Sequence, residues 1–306
     1  MKTFLLKIFY FISILFLIIV SVAFYFYKKS DLVFVSHSIS YNLKQEFIIK
    51  YKKQITKCNY FVIGSSMSLN NIDCILLSKK LNSKVFNLSS WGTKFSDFTN
   101  FNIWNKKNII ITNINFTDFG NSEIKLYPLN SFRFVNIAKD LGIFISQVNE
   151  KENYLKSQIN DHYTSLNFDN TGSLIFSEKS FFKIDAGRWN LKEKKLSEID
   201  INNFINEIKA KATSTKRIII TFSPIRKHLY SLEQSVSVKK LGKYLNLISN
   251  VNFINNYDRT EFTDEDFVDF SHFSKQGAQK YTELISSQID SILENKVKGV
   301  VKVHLQ

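Results

Sequence analysis

The sequence has few of the residues that build disulfide frameworks, metal centres and phosphate-binding loops. Its 306 residues include two cysteines, which are too few for a disulfide framework. Strand and helix geometry also sets Cys58 and Cys74 at the limit of disulfide reach, so both are expected to be buried thiols. The five histidines show no metal-ligand spacing, and no glycine-rich phosphate loop is present. We therefore expect neither a metal ion nor a cofactor.

Acidic residues are scarce relative to basic ones, 27 against 41, which gives a formal charge of +14. This excess favours an acidic partner such as teichoic acid, an acidic glycan or an anionic membrane. Most of the charge is lysine in a chain rich in Asn, Ile and Phe, so a compositional bias of the source genome explains it equally well. No basic helix or recognised binding motif is present, so nucleic acid is not an expected partner.

Short apolar runs alternate with segments of helical character along most of the chain. Uniformly apolar strands separated by helices predict an α/β fold with a three-layer, doubly wound parallel sheet. Such a fold places its site at the carboxyl ends of the strands. The predicted strands are 59–63, 84–88, 108–112, 217–222 and 251–255. The predicted helices are about 69–80, 95–105, 195–212, 230–248 and 275–294.

The first predicted strand runs directly into Gly64-Ser65-Ser66 and then into a helix. Glycine permits a sharp turn, and a small hydroxyl at the helix start is then presented at the sheet edge. The amides at the helix start would stabilise an anion that develops beside this hydroxyl. A serine at this place is also a common helix N-cap, so a purely structural role stays open.

Asp269 and His272 precede the last predicted helix. A spacing of three residues in a turn lets the carboxylate hold one imidazole nitrogen, while the other nitrogen takes a proton from a serine. This pair alone is a weak signal. Combined with a serine after the first core strand, the order Ser, Asp, His is considerably more specific.

These motifs resemble those of the SGNH (GDSL-like) hydrolases and acyltransferases over about residues 58–120 and 215–290. Gly64-Ser65-Ser66 corresponds to the first block of this family, normally Gly-Asp-Ser. The resemblance implies an SGNH/flavodoxin-like fold, with Ser66, Asp269 and His272 as the catalytic residues. It also implies an oxyanion hole that includes Gly92 and Asn115, with Asn113 as the other candidate for the asparagine.

Ser65 replaces the usual aspartate of the family, and Phe116 follows Asn115 where the family has Asp. Such departures are more similar to membrane-anchored cell-envelope members, including D-alanyl-transfer proteins and polysaccharide O-acetyltransferases. The resemblance thus implies a cell-envelope polysaccharide or teichoic-acid-like acceptor. It also implies a multi-pass membrane acyl exporter as a possible partner.

Residues 8–27 contain no charge, proline or glycine. A helix of this length, at about 1.5 Å per residue, covers the ~30 Å hydrocarbon core of a bilayer. We predict an N-terminal transmembrane anchor over 1–29 and a neck over 30–57, with the α/β domain over 58–306. The short basic N-terminus places the catalytic domain outside a bacterial cytoplasmic membrane. A cleaved signal peptide is the alternative, because Ser21-Val22-Ala23 has the small-x-small pattern of a cleavage site.

Residues 120–192 are predicted to form an insertion over the active-site edge, where substrate choice is usually made. Arg188 and Trp189 in this insertion are candidates to pair with an acidic group and to stack on a sugar. Arg226, just beyond the strand 217–222, is a candidate to bind a substrate anion. Packing and surface salt bridges are the default roles of such residues.

The predicted activity is transfer or hydrolysis of O-acyl groups through an acyl-serine intermediate. An anchor that holds the domain beside envelope polymers favours transfer over hydrolysis. Two alternatives stay open: an esterase or lipase released after signal cleavage, and a non-catalytic envelope protein that has kept the fold. The departures at Ser65 and Phe116 favour the non-catalytic alternative.

Overall fold

The computed structural model describes residues 2–29, 35–36, 38–99, 101–120, 126–127, 168–175 and 195–294. The chain forms two compact units, of which the first comprises Met1–Ile49 and Lys125–Ser165 and the second Lys50–Ile124 and Leu166–Gln306. The strands are β1 (Val35–Ser36), β2 (Tyr60–Val62), β3 (Val85–Asn87), β4 (Ile109–Ile114), β5 (Leu126–Tyr127), β6 (Arg217–Phe222) and β7 (Val251–Asn255). The helices are α1 (Lys2–Lys29), α2 (Ile39–Lys50), α3 (Lys52–Ile55), α4 (Ser66–Asn71), α5 (Cys74–Lys80), α6 (Glu198–Ala212), α7 (Leu232–Leu245) and α8 (Lys275–Glu294).

The first unit contains α1, most of α2 and a two-stranded antiparallel sheet in which β1 pairs with β5. The predicted apolar segment 8–27 lies within α1. Among the residues that the structure describes, no helix is sufficiently long and apolar to cross a membrane.

The second unit is built on a five-stranded sheet with the order β3-β2-β4-β6-β7, and every neighbouring pair is parallel. All residues of β4 and β6 are buried, as expected for runs rich in isoleucine in a parallel sheet covered on both faces. The chain order reverses at β2, because β3 and β4 follow it on opposite sides. The predicted parallel α/β sheet is confirmed, and β6 and β7 have the predicted bounds.

Helices pack on both faces of this sheet. On one face α5 and α8 contact each other and share a core with Val62, Ile111 and Ile219 of the central strands. On the other face, α7 lies close against β7. A Cβ added at Gly242 of α7 would lie 2.6 Å from the ring of Phe253. Because all five strands are parallel, the loops that follow them emerge at one edge of the sheet, where such sheets bind ligands.

The predicted helix over 69–80 is two helices, α4 and α5. Ile72 ends α4, because its backbone is extended with φ −114° and ψ 112°. Asp73 then begins α5, since its carboxylate accepts a hydrogen bond from the Leu76 amide at 3.0 Å. The serine that follows the first core strand therefore heads a helix of 6 residues.

The predicted helix over about 95–105 is wrong. The described residues of this stretch form one 3₁₀ turn, Phe95–Phe98, followed by further turns. The Phe98 carbonyl accepts hydrogen bonds from the Phe101 amide at 3.0 Å and from the Trp104 indole at 2.7 Å. The Trp104 ring also packs edge-on against Phe95, with centroids 5.4 Å apart. These contacts turn the chain back toward its own aromatic side chains instead of extending a helix.

Most of the predicted insertion 120–192 lies outside the described residues. Its described part, 168–175, lies beside β3 and α4. The backbone amide of Asn87 donates to the Thr171 carbonyl at 2.8 Å, and the side chain of Asn70 donates to the Leu174 carbonyl at 2.6 Å. This segment therefore braces the helix that begins at the candidate nucleophile.

Candidate active site

Gly64 makes the turn between β2 and α4 possible. Its φ of +131° lies in a region that residues with a side chain rarely adopt. A Cβ at this position would lie 2.7 Å from Ser68 Oγ and 2.9 Å from Thr112 Oγ1, so no side chain fits. The chain can therefore leave β2 abruptly and begin α4 at the edge of the sheet.

Ser65, not Ser66, is the N-cap of α4. The Ser65 hydroxyl accepts a hydrogen bond from the Met67 amide at 3.2 Å, and its own backbone is extended. Ser66 is the first residue of the helix and is half-buried, whereas residues 61–65 and 67–71 are buried. The sequence left helix capping open as a purely structural role for Ser66. In the structure Ser65 caps the helix instead.

Asp269 accepts three hydrogen bonds from the His272 loop, two of them from His272 itself. One carboxylate oxygen accepts the backbone amides of Ser271 at 2.8 Å and His272 at 2.7 Å. The other lies 2.5 Å from His272 Nδ1. A carboxylate can only accept, so Nδ1 donates and Nε2 is the nitrogen able to take up a proton. Both side chains are largely shielded, at 3% exposed for Asp269 and 12% for His272.

Burial and charge act in opposite directions on this pair. Burial lowers the pKa of His272, but attraction to the Asp269 carboxylate and the hydrogen bond to it raise the pKa by more, with a further contribution from Asp118. The net result is a His272 pKa above its ordinary 6.5. Burial raises the pKa of Asp269, and the charge and hydrogen bonds of His272 lower it by more, so Asp269 stays ionised.

Ser66 and His272 line one pocket of about 160 Å³. Its walls come from the β2–α4 turn, the loop after β3, the loop after β4 and the loop before α8. The lining residues are Ser65, Ser66, Gly92, Thr93, Lys94, Thr117, Asp118, Phe270, Ser271 and His272. Gly92 has a φ of +73° and can present only backbone atoms to a ligand. The structure therefore brings together Ser66, Gly92 and His272, with Asp269 directly behind the imidazole.

Asn115 and Asn113 do not line the pocket among the described residues. The Asn115 side-chain oxygen accepts hydrogen bonds from the Thr117 amide at 2.6 Å and the Thr117 hydroxyl at 2.5 Å. Asn113 is fully buried beneath the site, where its amide group donates to the Met67 carbonyl at 3.0 Å and its oxygen accepts from Tyr281 at 2.9 Å.

No protein-family model and no curated protein matches this chain. Function is therefore inferred from the pocket itself.

Groups of His, Cys, Asp and Glu that could hold a metal ion are absent from the part of the chain that the structure describes. Cys58 and Cys74 are both buried free thiols, as predicted.

Asp118 is a pocket residue that the sequence motifs do not reveal. It is 8% exposed, and its carboxylate accepts a hydrogen bond from the backbone amide of Asn115 at 2.7 Å. It also forms a hydrogen bond with the Ser65 side chain. Burial raises its pKa to about 6, against the lowering effect of these bonds and of nearby Lys94. An aspartate four residues past the end of β4 was the one available signal, and such residues are common at turns.

Arg226 lies outside the pocket lining and holds the loop that carries His272. Its guanidinium donates to the Phe267 carbonyl at 3.2 Å. This contact gives Arg226 a role in fixing the loop, and its predicted contact with a substrate anion stays a prediction. Arg188 and Trp189 lie outside the described residues, so their predicted contacts with substrate stay predictions.

The balance between burial and charge predicts how His272 titrates. In the wild type, NMR titration of the ring should give a pKa above 6.5, and Asp269→Asn should lower it below 6.5, because burial then acts without the opposing charge. Asp264→Asn, which alters an exposed carboxylate 4.0 Å from His228, should leave the His272 pKa unchanged. A wild-type pKa at or below 6.5 would contradict this electrostatic balance.

Proposed function

We propose that this protein is an SGNH-type serine O-acyltransferase or esterase that works through an acyl-serine intermediate. The observation that carries the proposal is one pocket that contains both the half-buried Ser66 and His272, with Asp269 bonded to the imidazole at 2.5 Å. A hydroxyl nucleophile, an imidazole base and a carboxylate that orients the imidazole are the three groups that catalyse acyl transfer in serine hydrolases.

In the first half-reaction His272 Nε2 removes the proton from the Ser66 hydroxyl as the oxygen attacks the carbonyl carbon of an ester. The tetrahedral intermediate collapses, the bond to the leaving alcohol breaks, and His272 returns the proton to that alcohol. Asp269 stabilises the imidazolium that exists between these two transfers. The product is an acyl-Ser66 ester.

In the second half-reaction an acceptor hydroxyl occupies the place of the departed alcohol. His272 takes its proton, the acceptor oxygen attacks the acyl carbon, and the Ser66 oxygen leaves with the proton that His272 holds. Water as the acceptor gives hydrolysis, and a glycan or polyol hydroxyl gives transfer. A pocket of about 160 Å³ favours a short acyl group such as acetyl over a long chain, because drug-sized ligands need about 300 Å³ or more.

The oxyanion would be stabilised by backbone N–H groups near Ser66 and Gly92. Asn115, expected as a third donor, does not line the pocket among the described residues. One oxyanion donor is typically worth about 3 kcal/mol, so its absence would slow the reaction without abolishing it. Binding of substrate that reorients Asn115 would restore the third donor.

The location and the acceptor follow from the resemblance to membrane-anchored SGNH proteins. The apolar segment 8–27 supports a single-pass anchor with the second unit outside the cytoplasmic membrane, and fractionation of cells tests this placement. A cell-envelope polysaccharide or teichoic-acid-like polymer is the proposed acceptor, with a multi-pass membrane acyl exporter as the proposed source of acyl groups. The excess of basic over acidic residues, 41 against 27, is compatible with an acidic polymer.

A non-catalytic envelope protein is the second candidate. The specific observation in its favour is Asn115, which does not line the pocket among the described residues. The departures at Ser65 and Phe116 point in the same direction.

Turnover of p-nitrophenyl acetate by the full chain separates the two candidates. We expect Ser66→Ala to abolish turnover, because the alanine has no oxygen to acylate, and Ser291→Ala to leave it unchanged. Ser291 is the matched control, since its exposed hydroxyl donates only to the Ser287 carbonyl on α8. Addition of a polyol acceptor should accelerate release if the enzyme is a transferase. Equal activity in wild type and Ser66→Ala, or none in either, would remove the catalytic proposal.

A further inference from the structure

The side chain of Asn71 connects the helix of the nucleophile to the loop of the base. Asn71 is the last residue of α4, five positions after Ser66, and it is fully buried. Its Nδ2 donates to the Ser271 carbonyl at 3.0 Å, and its Oδ1 accepts from the Phe273 amide at 2.9 Å. One amide group therefore holds the peptide units on both sides of His272, about 200 positions away in the sequence.

The loop itself fixes the remaining backbone groups of His272. The His272 carbonyl accepts the Val268 amide at 2.9 Å, and the His272 amide donates to Asp269 at 2.7 Å. These bonds hold the shape of the loop but do not connect it to Ser66. Asn71 supplies that connection, because it belongs to the same short helix that Ser66 begins.

We propose that Asn71 is a positioning residue that fixes the His272 imidazole relative to Ser66. This inference rests on the proposed serine acyl-transfer function. The site requires a donor and an acceptor on two separate atoms, and asparagine is the shortest side chain that offers them. A displacement of about 1 Å between a nucleophile and its base can lower a rate about 10²-fold, so a clamp of this kind has a large effect on catalysis.

Two carboxyl groups face His272: Asp269 on its own loop, and Asp118 from the loop after β4. Lys94 lies near Asp118 and acts on it electrostatically. Because the net effect of these surroundings is to raise the pKa of His272, a loop that is no longer held should return this pKa toward 6.5. The clamp therefore has a titration signature that does not depend on turnover.

The experiment compares Asn71→Ala and Asn71→Asp with Asn108→Ala in the full chain. Asn71→Asp keeps the shape and the acceptor, but when ionised it loses the donor to Ser271. Asn108 is the matched control, since it is also a buried asparagine whose side chain donates to a loop carbonyl, that of Ile103 at 2.6 Å. It lies immediately before β4, at the end of the strand away from the pocket.

For Asn71→Ala we expect kcat on p-nitrophenyl acetate to fall about 10²-fold with KM nearly unchanged. We also expect a lower His272 pKa by NMR. Asn71→Asp should change both quantities in the same directions, and Asn108→Ala should lower thermal stability without changing either. Folded Asn71→Ala and Asn71→Asp proteins with wild-type kcat and wild-type His272 pKa would overturn the inference. If the wild type shows no turnover that depends on Ser66, the proposed function fails, and the NMR comparison still decides whether Asn71 holds His272.

Discussion

Replacing His272 with alanine is expected to lower the rate of Ser66 acylation by about 10³- to 10⁶-fold. Without the imidazole, the base that the proposed mechanism assigns to the Ser66 hydroxyl is lost. The double variant Ser66→Ala/His272→Ala should be no less active than either single variant, because residues that act as one unit give strongly non-additive losses. The measurement is the initial rate of p-nitrophenyl acetate turnover for all four proteins.

The chain offers a matched control for this substitution. His228 also lies beside an aspartate, Asp264, at 4.0 Å, but both of these side chains are more than half exposed and the pair is outside the pocket. His228→Ala should therefore retain wild-type turnover. A comparable loss in His228→Ala, or losses at Ser66 and His272 that simply multiply in the double variant, would contradict a single catalytic unit.

Gly277→Ala is expected to destabilise the second unit by about 3 kcal/mol, at the upper end of the range for overpacked sites. A Cβ at Gly277 would lie 2.0 Å from the backbone carbonyl oxygen of Asp266, which cannot rotate away as a side chain can. Relief of this clash requires α8 to separate from the loop that carries Asp269 and His272. We expect urea unfolding to show the loss of stability and turnover to fall in the protein that still folds.

Gly242→Ala is the comparison for this prediction. Its added methyl group would meet the ring of Phe253 at 2.6 Å, and this half-buried side chain can move. The loss of stability should therefore be smaller, and turnover per folded molecule should stay at the wild-type value because Gly242 lies on α7. Stability in Gly277→Ala equal to that of the wild type would show that the loop and α8 are not packed as described.

The strands and the groups that meet in the candidate site could be predicted because their signals are local. Five apolar segments formed the parallel sheet, and the bounds of β6 and β7 match the prediction residue for residue. Ser66 and His272 each follow from a motif of a few residues and from the rule that sites lie at the carboxyl ends of parallel strands. Their presence in one pocket is the consequence of that topology.

The contacts between distant segments could not be predicted. Asp118 bonds Ser65 from a different loop, and Asn71 bonds the residues beside His272 across 200 positions. Neither residue belongs to a motif, and a buried asparagine or a turn aspartate is individually unremarkable in a sequence.

Local bonds also override periodic patterns. A turn that includes the hydrogen bond from the Trp104 indole to the Phe98 carbonyl stands where a helix over about 95–105 was predicted. The predicted helix over 69–80 is divided at Asp73, whose carboxylate caps α5. Asn115 turned toward Thr117, although its place after β4 agreed with the family pattern. Side-chain hydrogen bonds of this kind depend on the final path of the backbone, which apolar periodicity does not specify.

The central claim is that Ser66 is a nucleophile activated by the buried His272–Asp269 pair. Its most direct test is the reaction of the full-length protein with a fluorophosphonate probe, followed by peptide mapping of the adduct. The adduct should lie on Ser66, should be absent in Ser66→Ala, and should form far more slowly in His272→Ala. A protein that is folded yet carries no adduct, or one labelled equally in wild type and Ser66→Ala, would contradict the claim.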